Sequence, residues 1–408
     1  MSRAKIGTQF CFKPVLSHNL GGHAMPREPE QSAGVFALIG PPSDSNHLYA
    51  AIDYYRGTKG LPPKRFSSHA TLLKFLEWLP PFPGRIFEKL VTPAGVSVSG
   101  MHIWCPIMPE MVATMGQGDS FRKHVRNRVE EACRVAADRG ATIISLGGFS
   151  SIAVVGHEEE ISARIGVPVT SGNTFTASLT IAGIEGAVRA TGRSFKDATV
   201  AMLGATGDIG QGVSRWLGRK VKRLIITARD KPRLEAFAKE LRTRSEAEIL
   251  SATDNHWAAQ QADIVVAAAI STQPIISSDD VRPGTIICDV GYPKNVSIEM
   301  SDRSDVLTFL GGLSLPPWPF DFGYSSNLPS ADVLYGCMSE AVVLACSGRS
   351  EVFSHGRGNI TAESMDEIWK MARTHGFDVS PFFSARRLLK PEDLEPVLQA
   401  AQMKRSVL

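Results

Sequence analysis

Three glycines in Gly204-Ala205-Thr206-Gly207-Asp208-Ile209-Gly210 follow directly on the apolar run Thr199–Leu203 and open an amphipathic segment. Glycines at this spacing turn the chain tightly and bring backbone N–H groups against a phosphate, which the positive end of a helix also favours. Between a strand and a helix, such a loop is a dinucleotide fingerprint, so Gly204 to Gly210 are read as cofactor-binding. About 20 residues further on, where an NAD enzyme places an acid on the ribose hydroxyl, the next strand ends Thr227-Ala228-Arg229. Arginine cannot accept from that hydroxyl, but its planar fork can grip a 2′-phosphate; the plainer alternative is a solvated strand-end arginine. Thr227 and Arg229 are assigned to the cofactor, which is expected to be NADPH.

A second chemistry would need a nucleophile. The six cysteines (Cys11, Cys105, Cys133, Cys288, Cys337 and Cys346) lie far apart, with no CxxC and no Cys/His pair at zinc spacing. Neither a metal site nor a disulfide framework is expected, and a reducing cytoplasm suits free thiols. Cys337 shares an apolar stripe with Leu334, Met338, Ala341, Val342 and Ala345 on a helix read over Val333–Cys346. By periodicity alone it is a small core hydrophobe. It would sit in the second turn after Ser330 and Asp332, where the helix field has already faded. Cys288 lies inside a strand and reads as core, and His355 and His375 default to the surface.

The elements that must position these residues are clearest in the middle of the chain. Short β-branched runs at Thr199–Leu203, Arg223–Thr227, Glu248–Leu250, Asp263–Ala268, Thr285–Val290 and Val306–Leu310 alternate with amphipathic windows. That alternation predicts an α/β fold: a Rossmann-type doubly wound parallel sheet domain, with an N-terminal α/β domain and a C-terminal helical segment. Upstream, Val35–Ile39 reads as a strand and Phe121–Arg139 as a long helix, and Thr174–Ala190 reads as a helix leading into the dinucleotide domain. Downstream, Pro-rich Leu315–Pro319 precedes helices at Val333–Cys346 and Ala362–Gly376. The expected division is a disordered tail over 1–33, a substrate domain over 34–172, an NADP-binding domain over 173–312, a C-terminal helical segment over 313–385 and a tail over 386–408.

Composition bounds the rest. The chain has 408 residues, 43% hydrophobic and 21% charged, with 44 Lys+Arg against 41 Asp+Glu. This excludes a disordered chain and a polycationic nucleic-acid arm. Ile264–Ile276 and Leu307–Phe320 are the strongest candidates for membrane spans; both are too short and contain proline. The densest basic clusters are Arg122 to Arg128 and Arg215, Arg219, Lys220, Lys222 and Arg223; they read as solvated faces or as a docking face for an acidic partner.

Six motifs in order carry a resemblance. Leu146-Gly147-Gly148-Phe149-Ser150-Ser151-Ile152, Ser171-Gly172-Asn173-Thr174, the Gly204–Gly210 loop with Arg215-Trp216-Leu217, Leu224 to Arg229, Gly291-Tyr292-Pro293-Lys294-Asn295, and Cys337 followed by Ser339-Glu340-Ala341 all resemble the cyanobacterial long-chain acyl-(acyl carrier protein) reductases. The resemblance runs from about residue 34 to residue 380. It implies NADPH-dependent reduction of a fatty acyl thioester, on acyl carrier protein or coenzyme A, to the aldehyde through an acyl-enzyme on Cys337. It further suggests an aldehyde deformylating oxygenase as a partner. Asn173, Tyr292, Lys294 and the Gly147-Gly148 backbone become candidate donors to the thioester oxygen, although Gly291-Tyr292-Pro293 is equally a structural turn. Phe175 stands where the resemblance implies a histidine. Two other readings stay open: an NADP-dependent dehydrogenase of the shikimate type, which needs no cysteine, and a non-catalytic NADP-sensing protein.

Overall fold

In the computed structural model, which describes residues 32–108, 111, 119–271, 273–322 and 328–405, two sheets share one long helix between them. The first sheet comprises β1 (Ser32–Gly40), β2 (Phe82–Val91), β3 (Ser97–Trp104), β4 (Ile143–Leu146) and β5 (Val169–Thr170) in the order β2-β3-β1-β4-β5. It is parallel except for β2, which runs antiparallel to β3 along the edge. Helices α1 (Ser45–Gly57) and α2 (His69–Leu76) connect β1 to β2; α3 (Asp119–Ala137), α4 (Phe149–Val154) and α5 (Glu158–Ile165) follow. Their apolar faces cover one side of the sheet, burying Ile39, Ile144, Val129 and Cys133 in one cluster.

Helix α6 (Asn173–Ala190) then leads into the second sheet, β6 (Thr199–Leu203), β7 (Arg223–Thr227), β8 (Glu248–Ala252), β9 (Ile264–Ala267), β10 (Ile286–Asp289) and β11 (Leu307–Leu310). The order β11-β10-β9-β6-β7-β8, parallel throughout, is the doubly wound arrangement expected from the alternating pattern. Helices α7 (Asp208–Leu217), α8 (Lys231–Arg244) and α9 (Asn255–Gln261) make the crossovers. Both faces are covered, so the strands are apolar runs, with Val200 to Leu203 and Ile264 to Ala267 fully buried.

Two expectations about the C-terminal part are corrected. The helix carrying Cys337, α10 (Gly336–Cys346), begins three residues later than periodicity suggests. Leu334 and Tyr335 instead form β13 (Leu334–Tyr335), paired antiparallel with β12 (Leu313–Leu315), which itself pairs with β14 (Asp378–Val379). Long-range pairing takes those two residues from the helix, and Cys337 moves into its first turn. The helix then lies across β1 and β4, and Ala341, Val342 and Leu344 share a core with Phe36 and Leu38. A further helix, α11 (Ala362–Thr374), packs beside α6.

The tail expected over 386–408 is also structured through Arg405. It holds β16 (Arg387–Leu388), which pairs back onto β15 (Phe383–Ser384), and then α12 (Glu395–Arg405). Leu394 and Val397 are buried in the core of the second sheet, which supplies the apolar contact that ordering requires. Most of the tail expected at 1–33 lies outside the described residues, as does Cys11; Ser32 already belongs to β1.

Candidate active site

The phosphate loop is shaped from behind. Thr227 is fully buried; its carbonyl accepts the N–H groups of Gly204 (3.1 Å) and Ala205 (2.9 Å), and its hydroxyl donates to Asn255 Oδ1 at 2.6 Å. Thr227 therefore supports the loop instead of facing a ligand, a correction to its assignment. Gly204 adopts φ +84°, and a Cβ there would lie 2.7 Å from Ala269 Cα. A Cβ on Gly210 would meet Ala205 Cα at 3.0 Å. These are the positions where the chain has no room for a side chain, leaving a cradle that fits a dinucleotide pyrophosphate.

Gly204, Thr206, Gly207, Asp208 and Ile209 open onto a cavity of about 420 Å³. Ala205 and Gly210 lie behind this surface and act through backbone packing. Arg229 lines the same cavity and donates to the Ile270 carbonyl at 3.3 Å. The sequence reading missed Arg233, one turn into α8, which also lines the cavity and donates to the Thr206 carbonyl at 3.2 Å. The available signal was a second arginine in the first turn of the helix that follows Arg229.

Cys337, Asn173, Tyr292 and Lys294, far apart in sequence, line this cavity together. Cys337 is half-buried, and the backbone N–H groups of Gly148 and Met338 point at its sulfur. Burial pushes the thiol above its ordinary range, while those N–H groups work in the opposite direction and favour the thiolate. Gly172, at φ +69°, lies directly against the Cys337 backbone, whose carbonyl also accepts the Ser145 hydroxyl.

The other three candidates differ in what they do. Asn173 spends an amide hydrogen on Asp208 Oδ2 at 3.0 Å, which ties the start of α6 to the phosphate loop. Burial pushes the Asp208 carboxyl up to about 6, although Asn173 and the Gly358 N–H bond to it. The Tyr292 ring packs over Gly148 and meets Tyr335 edge-on at 5.8 Å; burial raises its phenol, and its hydroxyl bonds Ser43. Ser43 in turn lies 3.0 Å from His47 Nδ1. Lys294 projects from a turn built on buried Asp289, which accepts the N–H groups of Gly291 (2.9 Å), Asn295 (3.1 Å) and Val296 (3.2 Å).

The cavity wall also includes Trp104, Phe322, Leu328 and Met338, and the Trp104 and Phe322 rings meet His102 edge-on. Burial lowers the His102 imidazole to about 3, so it is neutral at physiological pH. Phe175 does not reach the cavity: it is fully buried, and its N–H donates to Glu340 Oε2 at 2.9 Å. Glu340, fully buried one turn beyond Cys337, also accepts the hydroxyls of Ser354 (2.8 Å) and Thr170. Cys288 is core as expected, whereas His375, the C-cap of α11, is buried instead of surface-exposed. Several residues of the basic clusters are internally paired: Arg126 with His157, Arg128 with Glu131, Arg215 with Glu240 and Arg223 with Glu248. Among the described residues no helix is long and apolar enough to cross a membrane.

The family described as Shikimate / quinate 5-dehydrogenase matches residues 186–309, the part of the chain that holds most of the second sheet. A long-chain acyl-[acyl-carrier-protein] reductase from Synechococcus elongatus is 32% identical over 316 residues, covering 74% of this chain and 89% of that protein. Aminotransferase PigE from Serratia sp. is 30% identical over 310 residues, covering 73% of this chain but 34% of its own length, so the chain spans about a third of that relative. The L-tryptophan dehydrogenase structure from Nostoc punctiforme aligns over 84% of this chain and 80% of that chain, at 12% identity and a TM-score of 0.36. The chain is an oxidoreductase built to use a nicotinamide dinucleotide, and it belongs to the family of long-chain acyl-[acyl-carrier-protein] reductases.

Proposed function

We propose that this protein reduces a long-chain fatty acyl thioester, carried on acyl carrier protein or coenzyme A, to the fatty aldehyde, with NADPH as reductant and Cys337 as the acylated nucleophile. The observation that carries the reading is the Cys337 sulfur in the first turn of α10, with the backbone N–H groups of Gly148 and Met338 aimed at it, within the cavity that also holds the glycine loop. The cradle at Gly204–Gly210 would hold the pyrophosphate, and Arg229 with Arg233 would hold the 2′-phosphate. NADPH, when bound, supplies a hydride.

At rest the half-buried Cys337, its thiol pushed up by desolvation, keeps its proton. As its sulfur adds to the thioester carbon, that proton leaves Sγ and the carrier thiol departs protonated. The Gly148 and Met338 N–H groups hold the charge that passes through the sulfur. Tyr292, as a neutral phenol, and Lys294 are the donors assigned to the thioester oxygen; Asn173 acts by holding Asp208. Once hydride has been added to the acyl carbon, the oxygen's electron pair re-forms the carbonyl as the carbon–sulfur bond breaks, the aldehyde departs, and Sγ takes a proton from solvent. Trp104, Phe322, Leu328 and Met338 offer the acyl chain an apolar wall. The free thiols at Cys105, Cys133, Cys288, Cys337 and Cys346 suit a cytoplasmic setting, and an aldehyde deformylating oxygenase would be a fitting consumer of the product.

The test is acyl-CoA supplied without NADPH. One acyl adduct should appear on the peptide containing Cys337, leave as aldehyde when NADPH is added, and fail to form in Cys337→Ser. An adduct on Cys288 or Cys346, or full turnover in the serine variant, would refute the chemistry. A shikimate-type dehydrogenase would stay fully active in Cys337→Ala, and an NADP sensor would bind cofactor yet release no aldehyde.

A further inference from the structure

The segment Ser354–Gly358 runs past the cavity and is anchored by carboxylates from three separate helices. Ser354, 2% exposed, donates its hydroxyl to Glu340 of α10 at 2.8 Å, and its N–H to the Thr170 hydroxyl at 3.0 Å. The Gly356 N–H donates to Glu158 Oε2 of α5 at 3.2 Å, and Glu158 is itself 1% exposed. The Gly358 N–H donates to Asp208 Oδ1 of α7 at 3.1 Å, and the Gly358 carbonyl accepts from Arg215 at 3.2 Å.

Holding a glycine-containing segment costs backbone entropy, and burying carboxylates costs more. What this framework presents is Arg357, between the second and third anchors. Its exposed side chain lines the same cavity as the phosphate loop and Cys337. The guanidinium acts on Asp208 through space, yet among the described residues it makes no ion pair: Asp208 is bonded to Asn173 and Gly358 instead. A cation held on a rigid segment beside a cavity, without a bonded acid, has its donors available to a ligand anion.

We infer that Arg357 is a phosphate-binding residue of this cavity, its guanidinium donating to a phosphate oxygen of the bound ligand. The substrate arm of this inference rests on the proposed thioester chemistry. Two ligands carry the required group: the dinucleotide, through its pyrophosphate, and the acyl thioester, through the phosphate of its pantetheine arm.

The full-length protein and its Arg357→Gln and Arg357→Lys variants separate them. NADPH affinity is measured by fluorescence, with inorganic pyrophosphate as competitor. Acylation of Cys337 without NADPH is followed by mass spectrometry, using acyl-CoA and an acyl-N-acetylcysteamine thioester, which has no phosphate. The inference expects Arg357→Gln to weaken one phosphate ligand about tenfold, the value of one charge-assisted bond, with the lysine variant recovering part of the loss. Weaker NADPH and pyrophosphate binding with unchanged acylation assigns Arg357 to the dinucleotide. Slower acylation by acyl-CoA alone assigns it to the thioester's phosphate. Unchanged behaviour in both arms, or an equal slowing with the phosphate-free thioester, overturns the inference. If the parent protein takes no acyl group from any thioester, the proposed function fails by itself, and NADPH and pyrophosphate affinity still decide the role of Arg357.

Discussion

Gly172 and Cys337 touch backbone to backbone: a Cβ built on Gly172 would overlap the Cα and carbonyl of Cys337. Gly172 sits at φ +69° as the N-cap of α6, so both its conformation and its lack of a side chain are required there. The contact joins the helix that carries Cys337 to the turn that carries Asn173, and through Asn173 to Asp208 of the glycine loop. One small residue thus sets how closely Cys337 approaches the Gly204–Gly210 loop.

Gly172→Ala should therefore lose about 2–4 kcal/mol of stability, from the left-handed conformation and from overlap with backbone that cannot rotate away. Thermal melting measures the loss. The rate of Cys337 alkylation by iodoacetamide should change with it, whereas Gly166→Ala, at φ +73° in open space, should lose only the conformational part and leave alkylation unaltered. Equal effects at both glycines would show that the close contact is immaterial.

Arg229→Ala and Arg233→Ala should each weaken NADPH binding about tenfold while leaving NADH binding nearly unchanged, because each removes a charge-assisted bond to the 2′-phosphate alone. In the double variant the two dinucleotides should bind alike. Equal affinity for NADH and NADPH in the unmodified protein would dispose of the assignment.

Glu340→Leu removes the acceptor shared by the Phe175 N–H and the hydroxyls of Ser354 and Thr170, all buried. The Phe175 N–H is left without its acceptor, while the Ser354 and Thr170 hydroxyls keep the Thr174 hydroxyl and the Ser354 carbonyl, so the loss should be about 1–3 kcal/mol in a denaturant titration. Glu340→Gln keeps an oxygen for Phe175 and Ser354 and can donate to Thr170, so it should retain most of the stability and the Cys337 acylation rate. Burial already raises the Glu340 carboxyl, so the neutral amide resembles its favoured state. A glutamine variant as damaged as the leucine variant would show that the charge is what matters.

Stability should also depend on pH through Asp208, whose carboxyl is raised from 3.8 to about 6. Below about pH 4 both folded and unfolded chains hold the proton and nothing is lost. Between about 4 and 6 the unfolded chain ionises first, so the folded state loses stability, and above about 6 the full cost remains. The melting temperature of Asp208→Asn relative to the parent should therefore rise between pH 4.5 and 7.5, by the equivalent of about 1–2 kcal/mol after discounting for partial exposure. An offset independent of pH would place the ionisation elsewhere.

The dinucleotide half was legible in the sequence because its signals are local. A buried parallel strand must be an apolar run, a phosphate loop must have glycines where backbone approaches backbone, and strand, loop and helix follow within about 30 residues. Arg229 could be read at the end of its strand because its place is counted from the loop. The order of the six motifs also carried the family, which spacing within any single motif could not have done.

Tertiary structure decided what depends on residues distant in the chain. Pairing of Leu334 and Tyr335 with β12 moves the start of α10 and brings Cys337 into the first turn, where helix periodicity had left it among core positions. The Gly148 N–H reaches that sulfur because β4 and α10 pack against one another, although almost two hundred residues separate them. Thr227, a plausible ligand by position, turns its hydroxyl to Asn255, and Arg357, in an unremarkable loop by sequence, is carried to the cavity by three carboxylates. Local propensity specifies a strand or a turn; which side chain faces a cavity is settled by packing between elements, and that information is not contained in any short window of sequence.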